Sequence, residues 1–295
     1  MTPSGSAVAD RISIVCVTHE SGAVVGDLLA SVAGRCPVVI VDNAGSDVEL
    51  IAKLAAQSGA RFIANGRNIG FGAACNLGSA ATSTEFVFFV NPDARLLEGA
   101  LDDMLVAFDR HPACVAASPR LVDREGRSVF KGRSVLLPRS QWMAEPVRDD
   151  VVPVLSGAAL CVRREAFEAS GGFDERIFLY HEDDDLSIRL RQGGAELRYV
   201  RDAVVVHAGG LGSSRSVSIA RHKGWWMGRS RIYAARKHGV PFAVPEALAS
   251  AAIQCLNPEL MWSPLKRGKQ WAFLRGVIEE AWAGAGAARG GRVAA

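Results

Sequence analysis

Paired cysteines are missing. The six that occur, Cys16, Cys36, Cys75, Cys114, Cys161 and Cys255, stand singly in apolar surroundings, with none of the short spacings of a disulfide framework or a zinc cluster, so buried thiols are expected. Long apolar runs are missing too. Nothing approaches the roughly 18 residues that cross a bilayer as a helix, and the polar N-terminus enters residues 12–17 without the basic flank of a secretory leader. A soluble, cytoplasmic chain is the expectation. Net charge is only +3, which argues against a dedicated nucleic-acid binder. Nor is there an internal repeat, a long low-complexity tract, a dinucleotide-binding glycine fingerprint or a Gly-Lys-Ser/Thr phosphate loop.

What is present is ample apolar material: 295 residues, 49% hydrophobic, enough for one large domain or a domain with an appendage. Charge is unevenly placed. Residues 211–295 carry 13 Lys and Arg against 4 Asp and Glu, a balance of +9, leaving 21 against 27, or −6, for residues 1–210. Together with the Gly- and Ser-rich stretch at 209–214, this shift divides the chain into a main domain at 1–210 and a basic, aromatic helical extension at 211–295.

Residues 11–17 and 37–41 are short, β-branched and almost continuously apolar, as strands buried on both faces of a parallel sheet are. Between them Val24, Val25, Leu28, Leu29 and Val32 recur at helical spacing, which predicts a β-α-β unit with a right-handed crossover. The alternation continues with helices near 48–57 and 73–81, strands at 61–64 and 86–90, a helix at 97–109 and a strand at 113–117. A doubly wound α/β sheet, mixed but mostly parallel, is the predicted fold class. Residues 118–150 lose periodicity and read as an excursion. Order returns at 155–162, followed by helices near 164–170 and 184–192 and a pair of strands within 196–206.

Chemistry-bearing residues gather just beyond the apolar runs, where open α/β sheets bind ligands. Thr18-His19-Glu20 ends the first strand and Asp42-Asn43 the second. They form a crevice suited to a nucleobase and ribose, unless Asp42-Asn43 merely caps the next helix. The glycine-rich turn bearing Asn68 and Gly70 opens a helix continuing to Asn76; its backbone N–H groups could approach an anionic or planar ligand, though many such turns are only turns. Asn91-Pro92-Asp93 follows the strand 86–90. One carboxylate plus one amide is a hard-oxygen set for Mg²⁺ or Mn²⁺ already carrying a diphosphate, the alternative being an Asx-Pro turn. Glu182-Asp183-Asp184-Asp185 opens an amphipathic helix. Its dipole stabilises acids there, but four exceed what capping needs, and crowded carboxylates raise at least one pKa toward that of a working general base. His207 follows three valines at a strand end, as either a structural or a ligating imidazole. Residues 221–231, basic with Trp225 and Trp226, suit a membrane interface, an anionic lipid-linked substrate or ordinary helix packing.

In order and spacing these pieces resemble glycosyltransferase family 2, and within it the bacterial rhamnosyltransferase-like branch with the GT-A fold. The resemblance spans about residues 11–240 and rests on Val17-Thr18-His19-Glu20-Ser21, Val41-Asp42-Asn43, residues 68–76, Asn91-Pro92-Asp93-Ala94, Ser156-Gly157-Ala158, Gly171-Gly172-Phe173-Asp174-Glu175 and Glu182-Asp183-Asp184-Asp185-Leu186. It implies that Thr18, Glu20, Asp42 and Asn68 contact a nucleotide, and that Asp93, with Asn91 and His207, holds a metal-diphosphate. Asp183 would be the catalytic base, Glu182 and Asp185 would order it or bind acceptor hydroxyls, and Gly157 and Phe173 would wall the sugar and acceptor site. Two positions depart from the family's usual pattern, Glu20 where Asn is common and Asn91 where a second Asp is common. The resemblance further implies inverting transfer of a sugar from a nucleotide-sugar donor, dTDP-L-rhamnose by similarity to that branch. The acceptor would be a glycan or lipid-linked glycan, with peripheral contact at the inner face of the membrane and no nucleic-acid partner. The alternative is a non-catalytic nucleotide-sugar-binding subunit of a glycan assembly complex.

Overall fold

The computed structural model describes residues 5–209, 216–255 and 262–290. The chain divides into two compact units. The first comprises Met1–Ser134, Pro138–Glu175 and Glu182–Ser213; the second comprises Val135–Leu137, Arg176–His181 and Ser214–Ala295. Most of the glycine-rich boundary expected at 209–214 lies outside the described residues. The short pieces at 135–137 and 176–181 join the second unit through contacts that composition does not reveal.

In chain order the first unit contains α1 (Gly5–Arg11), β1 (Ile12–Thr18), α2 (Val25–Val32), β2 (Val38–Asp42), α3 (Val48–Ser58), β3 (Arg61–Ala64), α4 (Phe71–Ser79), β4 (Phe86–Val90) and β5 (Ala94–Leu96). It continues with α5 (Ala100–Arg110), β6 (Cys114–Val122), β7 (Asp150–Val151), β8 (Ala159–Arg163), α6 (Arg164–Ala169), α7 (Glu182–Arg191) and β9 (Glu196–His207). The sheet order is β3-β2-β1-β4-β8-β6-β9-β5, with β7 also paired to β9. Pairing is parallel from β3 through β4 and mixed beyond, because β8 runs antiparallel to both β4 and β6.

Side chains alternate across a strand, and here the alternation separates two cores. Ile12, Ile14 and Cys16 of β1 join Ile40, Phe86 and Phe88 beneath Leu28, Ile51, Met104 and Phe108 of α2, α3 and α5. Val15, Val17, Val39, Val41, Val87 and Phe89 face the other way, onto Ala74, Cys75, Phe167, Leu186 and Leu190 of α4, α6 and α7. Both faces are therefore covered, as near-continuous apolar strands require. All six cysteines are free thiols, five of them buried. Burial pushes Cys36 and Cys114 up to about 12, which leaves them inert.

Some elements differ from the sequence expectation. Strand β5, which was not expected, stands just before the helix predicted at 97–109, and that helix starts at Ala100. Residues 155–158 lie outside β8, which begins at Ala159. The two strands expected within 196–206 are a single strand. Strand β9 passes Arg201 and Asp202 in an irregularity opposite Pro119, where the register moves from Pro119↔Val200 to Arg120↔Val204. A proline has no N–H for the ladder, so pairing must skip there.

The second unit contains α8 (Val217–Lys237), α9 (Ala243–Cys255) and α10 (Pro264–Gly290), packed around Ile232, Ala247, Ala251, Phe273 and Val277. Trp225 Nε1 donates to Glu279 at 2.7 Å and Arg229 pairs with Glu280 at 2.8 Å, tying α8 to α10.

Candidate active site

The parallel strands β2, β1 and β4 end at one edge of the first unit, presenting Asp42, Thr18 and then Asn91. Strand β9 ends at the same edge with His207, paired in register with Ala94 at the start of β5. This short strand, unforeseen from sequence, clamps Asp93 beside His207. Asp93 Oδ1 lies 3.2 Å from His207 Nε2, with the aspartate side chain only 5% exposed. The Asn91 amide nitrogen lies 3.2 Å from the same imidazole nitrogen. One carboxylate, one imidazole and one amide thus share a point. No cluster of three or more His, Cys, Asp or Glu suited to a metal occurs among the described residues. The set fits a hard divalent ion that keeps most of its ligands from water or phosphate, and not an ion caged by protein alone.

The acidic knot occupies the first turn of α7 and its members face different ways, since consecutive helical residues point about 100° apart. Asp183 Oδ2 accepts from the Gly157 backbone N–H at 2.7 Å and pairs with Lys131 Nζ at 2.7 Å. Its Oδ1 accepts from the Asp184 N–H at 2.8 Å. Lys131 also pairs with Asp184 at 2.9 Å. Burial opposes the charge on Lys131, but the two aspartates outweigh it and hold the ammonium well above its usual pKa. A Cβ at Gly157 would stand 3.2 Å from the Asp183 carboxylate, so the close approach favours glycine. Glu182 is buried with Oε2 unpartnered, and burial, then the charge of Asp183, push it up to about 8.

Segment 156–158 joins the two groups. Gly157 holds Asp183, while the next residue's carbonyl, Ala158 O, accepts from the Asn91 N–H at 2.9 Å. A small open cleft runs past Ser156 and Lys131, flanked by Phe130 and Tyr199.

The expected nucleotide contacts are linked to one another. Thr18 and Asp42 are buried, their side chains 3.4 Å apart, and desolvation raises the Asp42 pKa. Glu20, in the left-handed region at φ 58°, accepts from Ser46 N and Oγ, both at 2.8 Å, and these bonds lower its pKa. Ala44 is left-handed as well, at φ 61°; such strain concentrates at ligand loops. Asn68 is exposed, its carbonyl accepting from Asn43 and from the Gly70 N–H, and Gly70, at φ 88°, precedes α4.

Three of the expected site residues have their hydrogen-bonding groups engaged within the chain. Asn43 donates to Asn68 and Gly70 and accepts from Ile69 and Asn65, leaving its amide no capacity for a ligand. It ties β2 to the glycine-rich turn. Asn76 clips the Phe173 backbone, accepting from its N–H at 2.8 Å and donating to its carbonyl at 2.9 Å, a packing role. Asp185 is 0% exposed and pairs with Arg189 at 2.7 Å, which leaves ordering the first turn of α7 as the part of its expected role that this burial suits. Arg189 in turn holds the carbonyls of Ser170 and Gly172. Phe173, also expected at the sugar site, is buried against Phe71, Phe89 and Phe167.

The family model for glycosyl transferase family 2 matches residues 13–171. The chain belongs to glycosyltransferase family 2. It is similar to the N-acetylglucosaminyl-diphospho-decaprenol L-rhamnosyltransferase of Mycobacterium tuberculosis, 32% identical over 268 residues that cover 74% of this chain and 87% of the relative. It also resembles the dTDP-rhamnosyl transferase RfbF of Shigella flexneri, at 26% identity over 70% of this chain and 73% of that one. Among solved structures, the mannosyltransferase PcManGT from Pyrobaculum calidifontis in complex with GDP-Man and Mn²⁺ superposes with TM-score 0.57 at 15% identity, covering 92% of this chain and 88% of that one. S. aureus TarS superposes with TM-score 0.55 at 16% identity, covering 93% and 92%. The fold is GT-A, and this family 2 member is a glycosyltransferase that uses a sugar donor.

Sequence reasoning missed Lys131, Ser46 and Arg189. Lys131 lies in the aperiodic excursion, where nothing local points to Asp183. Arg189, four residues after Asp185 on a helix, had a readable signal in its i,i+4 spacing.

Proposed function

We propose that this family 2 glycosyltransferase is inverting and moves L-rhamnose from dTDP-L-rhamnose to a hydroxyl of a lipid-linked glycan. The sugar is supported by the names of two relatives and the nucleotide by one of them. The observation that supports the reaction type is segment 156–158, whose adjacent residues Gly157 and Ala158 hold Asp183 and the backbone of Asn91, which itself lies beside Asp93 and His207. In this reading Thr18, Glu20, Asp42, Asn68 and Gly70 line the nucleotide crevice.

Asp183 takes the proton of the acceptor hydroxyl as that oxygen bonds to the anomeric carbon. The bond from that carbon to the diphosphate oxygen breaks on the opposite face, and nucleoside diphosphate leaves. Asp183 has one hydrogen-bonding direction open on Oδ1, because a carboxylate offers about four and three are filled. Asp93, His207 and Asn91 would hold Mg²⁺ or Mn²⁺, which when bound offsets charge on the departing diphosphate. Gly157, held to Asp183, sets the distance between the base and the sugar.

The test is incubation with dTDP-L-rhamnose, Mn²⁺ and a polyprenyl diphospho-N-acetylglucosamine, with the product linkage read by NMR. A rhamnosylated product of inverted anomeric configuration is expected, and retention would exclude the single-displacement scheme. Asp93→Ala should abolish the Mn²⁺-dependent part of dTDP affinity in calorimetric titration, whereas an unchanged metal dependence would remove Asp93 from the metal set.

The acceptor's lipid fits peripheral binding at the inner face of a membrane. No helix among the described residues is long and apolar enough to cross a bilayer. However, α10 exposes Trp271, Ile278 and Trp282 at helical spacing along one face, 58%, 41% and 75% accessible, within the basic region. Tryptophans and cations on one helix suit an anionic interface.

A further inference from the structure

The transfer described above makes no use of Lys131, yet the ammonium stands 2.7 Å from the Asp183 carboxylate and 2.9 Å from that of Asp184. Its approach is built into the fold. Phe130 meets the Tyr199 ring edge-on at 5.3 Å, and Gly132 O accepts from the Met143 N–H at 3.0 Å, so both chain neighbours of Lys131 are anchored. Tyr199 is fixed by its hydroxyl donating to Glu145 at 2.5 Å, and Ser128 donates to the same carboxylate at 2.7 Å. The side chain of Lys131 remains 26% exposed, at the cleft. Two adjacent carboxylates repel, and a cation bridging them fixes both. With Oδ2 of Asp183 taken by Lys131 and Gly157, the open direction lies on Oδ1.

We propose that Lys131 is a positioning residue for glycosyl transfer, bridging Asp183 and Asp184 so that Oδ1 of Asp183 faces the acceptor hydroxyl. The proposal rests on Asp183 being the base. Removing the bridge frees that carboxylate to turn toward other partners, which slows the chemical step without touching the donor. A misplacement of about 1 Å costs on the order of 100-fold in rate.

The experiment is steady-state transfer by the full chain with Mn²⁺, the acceptor above, and dTDP-L-rhamnose or whichever nucleotide sugar that product assay establishes. Lys131→Met should lower kcat by roughly ten- to a hundredfold, with the donor KM and the affinity for the nucleoside diphosphate unchanged; that affinity also reports folding. Lys131→Arg should restore most of kcat. If Lys131→Met is insoluble, Lys131→Gln, which keeps a donor but no charge, reads the same split. A raised donor KM at unchanged kcat would assign Lys131 to the diphosphate and overturn the proposal, as would wild-type kinetics. Asp183→Asn separates the two failures: turnover lost there but intact in Lys131→Met rejects only the positioning role, whereas turnover intact in Asp183→Asn rejects the base and with it the role of Lys131.

Discussion

Asp183 and Asp185 stand two positions apart on one helix and do different work. The first is held by the Gly157 N–H and by Lys131, which lines the cleft; the second is wholly buried on Arg189, which secures the turn at Ser170 and Gly172. Removing one partner of a buried pair strands the other charge. Asp185→Ala should therefore cost about 3–5 kcal/mol of stability by urea unfolding, and a loss of activity at unchanged stability would show that Asp185 acts in chemistry. Glu182 makes a different prediction. Its carboxyl, 4.5 ordinarily, is pushed up to about 8 by burial and by Asp183. Between those values the folded chain holds a proton that the unfolded chain releases, so stability falls as pH rises through that window. Glu182→Gln lacks this decline. Relative to wild type, its melting temperature should gain between about pH 5 and pH 8; an equal difference at both ends would mean that Glu182 ionises normally.

At the scale of elements, the site depends on how closely α4 lies on the sheet. Gly78 faces β1 and β2: a Cβ there would collide with Val15 Cγ1 and stand 3.0 Å from Val41 Cγ2. Both neighbours are β-branched and stiff. Gly78→Val should destabilise the chain by about 1–3 kcal/mol through overpacking. The same substitution should weaken nucleotide affinity, because α4 begins at the Gly70 turn that Asn43 and Asn68 support. Urea unfolding and dTDP titration check the two effects, and wild-type values in both would show that α4 can shift without consequence.

For the whole molecule, net positive charge is concentrated in the C-terminal region, as are exposed aromatics among the described residues. Residues 211–295 hold a balance of +9, and α10 displays Trp271, Ile278 and Trp282. Trp271→Ala with Trp282→Ala should reduce co-sedimentation with phosphatidylglycerol vesicles and leave transfer to a water-soluble acceptor analogue intact. Undiminished vesicle binding would place the membrane contact elsewhere.

The alternating elements, the two-faced burial of the central strands and the edge at which the polar residues cluster were legible from the residues alone. These follow from side-chain periodicity and strand-end chemistry, which are local. The resemblance of its motifs also identified the family. Which of those polar residues are already engaged by other parts of the chain depends on packing through space. Asn43, Asn76 and Asp185 occupy motif positions indistinguishable in spacing from Asp93 and Asp183, yet their hydrogen-bonding groups are taken up by the Gly70 turn, the Phe173 backbone and Arg189. Lys131 reached Asp183 across 52 positions of chain, counted between the two residue numbers. A carboxylate's role is set by its partners through space, and partners so far apart in sequence leave no periodic trace.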